Sequence, residues 1–74
     1  MDKKYCFSFL GDKIFLPGTK TIEGTLKNAF DIAGGRYFKD GELKIMIGEF
    51  ENSNSNKVVK IKEFKLNEKG KMIL

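Results

Sequence analysis

Cys6 is the one side chain in this 74-residue chain with the chemistry of a strong nucleophile or a soft metal ligand, and the chain has no histidine to activate it. A reactive thiol needs a neighbouring imidazole, a second cysteine or a helix N-terminus to hold it as thiolate near neutral pH. Cys6 has none of these. It lies within KYCFSFL, residues 4–10, whose alternation marks it as a small buried hydrophobe in a strand. One cysteine forms no internal disulfide, and without histidine the imidazole acid–base and His-ligated metal classes are excluded. The carboxylates Asp12, Asp31 and Asp40 are far apart and fit turns or a polar helix face, so their spacing asks for no cation. Ala33-Gly34-Gly35-Arg36 has the look of a phosphate loop, but its glycines follow a predicted helix and stand at the negative end. Phosphate is cradled at the positive end. No catalytic residue, cofactor or metal is expected, which leaves the chemistry of binding.

Binding chemistry here is carried by charge and by aromatic rings. Arg36 is the sole arginine among 14 basic residues. Arginine supplies the bidentate fork that reads guanine or clamps phosphate, whereas lysine is a hydrated point charge, so specific reading of a DNA major groove is poorly provided for. The net charge of +4 is local: across residues 57–71, Lys57, Lys60, Lys62, Lys65, Lys69 and Lys71 stand against Glu63 and Glu68, and six minus two equals the whole excess. Residues 40–51 lean the other way, with Asp40, Glu42, Glu49 and Glu51 against Lys44. The two segments read as arms of one hairpin whose lysines balance acidic neighbours and guard an exposed strand. The alternative is a stripe that follows the phosphates of a single strand while aromatics stack on its bases. Tyr5, Phe7 and Phe9 are expected beneath a helix, leaving Tyr37, Phe38 and Phe64 as the rings free to face a partner.

The elements that position these residues are legible in outline. Tyr5, Phe7 and Phe9 alternate with Cys6, Ser8 and Leu10 in a first strand; Gly11-Asp12 reads as a tight connection, and Lys13-Ile14-Phe15-Leu16 as the return, stopped by Pro17-Gly18. From Thr19 or Thr21 the period becomes helical, with Ile22, Leu26, Ala29 and Ala33 on one face and Glu23, Lys27 and Asp31 opposite, up to Gly34-Gly35. Gly24 is read as a tolerated first-turn glycine, at a cost of about 1 kcal/mol against alanine. Arg36–Lys39, the Asp40-Gly41 turn and the strand from Glu42 through Leu43, Ile45 and Ile47 make a second hairpin. A polar loop, Asn52–Asn56, precedes a strand over Lys57–Leu66, with Ile47 expected opposite Val59, Ile45 opposite Ile61 and Glu49 opposite Lys57. Phe64 and Leu66 fall out of phase with Val59 and Ile61, so a bulge is expected near Lys62-Glu63. Asn67–Gly70 is a turn, and Lys71–Leu74 an edge strand or tail.

The sum is a single α+β domain over residues 1–74: a mostly antiparallel sheet of about five strands in the order β-β-α-β-β-β, with one helix packed on one face. At 41% apolar and 32% charged residues of mixed sign, the composition supports a packed core and not a disordered tail. So short a chain buries only about 60% of its unfolded surface, and homodimerisation over the uncovered sheet face is one route to further stability. A lone cysteine in so small a domain argues for a reducing compartment, hence the cytoplasm. The apolar run at the N-terminus is shorter than a secretory segment, and nothing approaches the roughly 18 apolar residues of a membrane span, so no membrane partner is expected.

The function expected on these grounds is that of a non-catalytic module that docks on a larger protein as a regulator or inhibitor, with Arg36, Tyr37, Phe38, Met46 and Phe64 as the contact residues, because aromatics and arginine dominate interface energy. Small proteins of this kind are common among the accessory genes of phages and plasmids, inhibitors of host defence included, an analogy that rests on size and composition alone. A nucleic-acid binder using the six lysines of residues 57–71 is the alternative. A second alternative sequesters a small anionic ligand at a dimer seam, where a site made by two chains leaves no linear motif.

Overall fold

The structure, a computed structural model, describes residues 4–10, 13–52 and 54–73. The Gly11-Asp12 connection, Ser53 of the polar loop and the final Leu74 lie outside the described residues. The chain is α+β, with strands β1 (Tyr5–Phe9), β2 (Leu16–Pro17), β3 (Leu43–Phe50) and β4 (Val58–Leu66) in one sheet of order β2-β1-β3-β4, every pair antiparallel, and one helix, α1 (Ile22–Ala33). The expected five strands are four. Asp40 and Gly41 both take positive φ, 54° and 78°, as a type I′ turn requires, and Lys39 and Glu42 exchange backbone hydrogen bonds of 2.9 and 3.0 Å across it. Pairing stops at that one bridge because Tyr37 has φ 68°, which takes the chain out of extended geometry. The C-terminal segment likewise makes a single bridge, Leu66 to Met72.

Helix α1 starts where its cap permits. Thr21, in extended geometry, accepts from the Gly24 N–H at 3.0 Å, and Gly34 ends the helix in the left-handed region, its N–H donating to Phe30 O. Gly24 is not merely tolerated, as expected from sequence: a Cβ there would stand 2.5 Å from Thr19 Oγ1 and 2.9 Å from Thr21 Oγ1. Thr19 is drawn in because its N–H donates to Thr25 Oγ1 at 2.9 Å, while Thr25 Oγ1 donates to Thr21 O at 2.8 Å. This threonine knot ties the approach from β2 to the first turn of the helix.

Leu26, Ala29 and Ala33 face the sheet, and the two alanines, fully buried, let α1 sit close over Phe7 and Phe9 of β1 and Leu43, Ile45 and Ile47 of β3. The opposite sheet face is less open than alternation suggests. Cys6 and Ser8 point away from the helix yet are as buried as Phe7. Gly48, paired with Cys6, carries no side chain, and Val58, Phe15 and the Cys6 sulfur converge on the space where one would stand. Contributions from the β1–β2 connection and from β4 thus close this part of the back face without a second layer.

The β3–β4 register differs from the one expected. Ile45 pairs with Phe64, Ile47 with Lys62, Glu49 with Val59 and Phe50 with Val58, and the ladder shifts between Ile47 and Glu49. The bulge is therefore at Lys60-Ile61, just N-terminal of the expected place, with Lys60 at φ 53°. Phe64 and Leu66, opposite Ile45 and Leu43, take the core side; the two-residue bulge brings Val59, opposite Glu49, onto the same face and leaves Ile61 exposed.

Candidate functional site

Of nine exposed large apolar residues among those described, Ile22, Ile61, Met72 and Ile73 lie elsewhere and five are contiguous. Leu10 (51% exposed), Ile14 (73%), Leu16 (39%), Ile32 (50%) and Tyr37 (45%) line one shallow concavity of about 440 Å³, together with Arg36. Isolated exposed hydrophobics need no explanation on a soluble domain, but a contiguous set marks an interaction surface or a ligand groove. Three parts of the chain build this one. Leu16 stands on β2 across from Phe7, and Ile14 lies two residues before it. Ile32 projects from the last turn of α1, outside the Leu26–Ala29–Ala33 stripe. Leu10 and Tyr37 come from the two connections that end β1 and α1.

Those last two are held in costly backbone. Leu10 has φ 49° and Tyr37 φ 68°, in the left-handed region that side chains other than glycine enter at about 1–2 kcal/mol each. Gly11 follows Leu10 and Gly35 lies two residues before Tyr37 in sequence, and a glycine would serve either position without strain. Tyr37 is fixed further by its ring, stacked on Phe9 with centroids 4.6 Å apart and planes 7° from parallel, and Phe9 meets Phe7 edge-on at 5.6 Å. The tyrosine is thus the exposed end of a stack of rings rooted in the core. Arg36 folds back to α1: its N–H and its Nε both donate to Ala33 O, at 2.8 and 3.4 Å.

Of the five contact residues expected from sequence, the structure brings Arg36 and Tyr37 into this concavity and leaves the others elsewhere. Phe38 is half-buried against the core, edge-on to Phe30 at 6.3 Å. Met46 is half-buried on the opposite sheet face, between Ser8 and Glu63. Phe64 is half-buried on the helix side of β4, with Lys62 Nζ 5.4 Å above its ring. Leu10, Ile14, Leu16 and Ile32 were not singled out by sequence. Ile32 alone gave a local signal, an apolar residue off the helix's core stripe.

The six lysines do not form one stripe. Lys57 pairs with Glu51 and Lys60 with Glu49, each at 3.8 Å. Lys62 is level with Ile47 on the helix side, whereas Lys65 stands opposite Lys44 on the back face. Lys69 and Lys71 donate their backbone N–H groups to Asn67 Oδ1 in the turn after β4. Cys6 Sγ donates to Gly48 O at 3.4 Å, and burial raises its pKa, which holds the thiol protonated and unreactive. Asp31 and Asp40 are exposed and apart, and Asp12 lies outside the described residues; among those described, no cluster of three metal-ligating side chains occurs. Among the described residues no helix is long and apolar enough to cross a membrane. Comparison of the chain with known proteins found no matching family model, no similar curated protein and no similar solved structure.

Proposed function

We propose that the protein is a non-catalytic binding module that regulates or inhibits a larger protein by docking through the concavity of Leu10, Ile14, Leu16, Ile32, Arg36 and Tyr37. The observation that carries this is the conjunction of exposure and strain: two of the five apolar residues present their side chains from left-handed backbone at positions where a polar residue or glycine would be cheaper. Strained backbone clusters at working sites, where the surrounding structure holds it against its cost. A buried, protonated thiol as the sole cysteine and the absence of histidine support a role without catalysis.

The nucleic-acid reading is weaker on the same grounds. Its lysines are divided between two sheet faces and two of them are paired with glutamates, so few are left to follow one phosphate backbone.

The deciding experiment captures partners on the immobilised protein with and without nuclease, using wild type, Leu10→Asn with Ile14→Asp, and Lys60→Glu with Lys62→Glu. Docking through the concavity predicts a defined protein that survives nuclease and is lost only with the first pair. Material that vanishes with nuclease and with the lysine pair would establish the nucleic-acid reading instead.

A further inference from the structure

The concavity holds one charged side chain, Arg36, and no described side chain neutralises it. Among the described residues no carboxylate pairs with it, and its Nε bond to Ala33 O leaves the outer guanidinium nitrogens for an acceptor from outside. That bond also sets Arg36 over the negative end of α1. A carboxylate arriving here meets the guanidinium before it meets the helix carbonyls.

Two other occupants fit less well. Strand addition needs a row of free N–H and C=O groups, but β2, the edge strand beside the concavity, is two residues long and one of them is Pro17, which has no N–H. A second copy of the chain, seated by a two-fold on this surface, would bring both Arg36 side chains into one apolar seam. Among the described residues no carboxylate lines the concavity to separate them, and desolvated like charges repel.

We infer that the occupant is an acidic amphipathic helix of the partner protein, whose apolar face seats on Leu10, Ile14, Leu16, Ile32 and Tyr37 and whose Asp or Glu pairs with Arg36. This inference rests on the docking function proposed above and gives it a partner chemistry. Side chains carry the contact: apolar anchors at helical spacing supply affinity, and the single fork of Arg36 fixes register by selecting where the acid must fall.

The test selects binders from a displayed library of helical peptides against the full chain, then measures the enriched peptides by titration while following the backbone amides by NMR. Enriched sequences are expected to carry Asp or Glu beside apolar anchors and to shift the amides of the six concavity residues. Arg36→Gln should weaken them about tenfold or more, Arg36→Lys much less, and peptides with the acid changed to Lys should regain binding to Arg36→Glu. Unchanged β3–β4 amides in each variant establish that the fold is intact. Peptides that bind the concavity without acidic enrichment and ignore Arg36→Gln overturn the acidic partner while the docking function stands. A selection yielding no peptide whose binding is lost in Ile14→Asp overturns both. Concentration-dependent shifts of the same amides without peptide reveal a second copy and overturn the inference.

Discussion

Tyr37 lies flat on Phe9, so that an exposed ring in strained backbone is an extension of the buried core. Stack and strain oppose one another in stability, which makes Tyr37 separable from the fold. Tyr37→Gly gives up a stack worth about 0.5–1.5 kcal/mol and relieves about 1–2 kcal/mol of left-handed strain. The unfolding free energy from urea titration should change by less than about 1.5 kcal/mol while partner capture is lost. A large loss of stability would mean the ring serves the core and not a partner.

Gly24→Ala should have the opposite sign to the usual helix substitution. In an ordinary helix the change stabilises by about 1 kcal/mol. Here the new methyl collides with Thr19 Oγ1, so thermal unfolding should come earlier than in wild type, and Thr19→Ala in the same chain should recover part of the loss. Additive effects of the two substitutions would contradict the collision.

Ser8 Oγ is buried on the back face, opposite Met46, without a hydrogen-bond partner among the described residues. Ser8→Ala removes a desolvated hydroxyl and leaves nothing unsatisfied, so it should raise stability, by about 1 kcal/mol. A fall in the denaturation midpoint would show that the hydroxyl has an acceptor.

The buried Cys6 thiol makes stability depend on pH in the alkaline range. Its pKa is raised on folding, so the folded state holds the proton more tightly than the unfolded one. The contribution is complete below the ordinary thiol value of about 8.5 and declines as pH rises from there toward the folded value. Denaturation midpoints compared from pH 7 to 10 should fall more steeply for wild type than for Cys6→Ala. Parallel slopes would place the thiol in contact with solvent.

How much of this was legible in sequence differs by element. Alternation identified β1, and a threonine at 19 or 21 with Gly34-Gly35 bounded α1, because each depends on neighbours within a few residues; the structure caps the helix at Thr21 and Gly34. The Asp40-Gly41 turn was legible for the same reason, but the strand expected before it was not formed, since nothing local announces that Tyr37 leaves extended geometry. The β3–β4 register was misread because β4 carries two apolar pairs of opposite phase, and the packing of Phe64 and Leu66, not local alternation, sets which residues the bulge takes up. Closure of the back face over Cys6 depends on Phe15 and Val58, which are remote in sequence from each other and from Gly48. The concavity is the extreme case. Arg36 and Tyr37 could be named from residue type, whereas Leu10, Ile14, Leu16 and Ile32 are each unremarkable until three elements bring them together.

The central place of β1 sets the order in which the molecule can assemble. β3 and β4 are consecutive and form a local hairpin on the microsecond scale, but β1 must wait for β3, its Cys6 thiol reaching Gly48 O across 42 positions of chain. Loop closure of that length comes late unless the threonine knot and α1 have already shortened the search. Burial of the thiol then coincides with the pairing of β1 to β3, and its protection from alkylation during refolding reports that event. Pulse labelling should show Cys6 still reactive after the helical signal has reached its final amplitude.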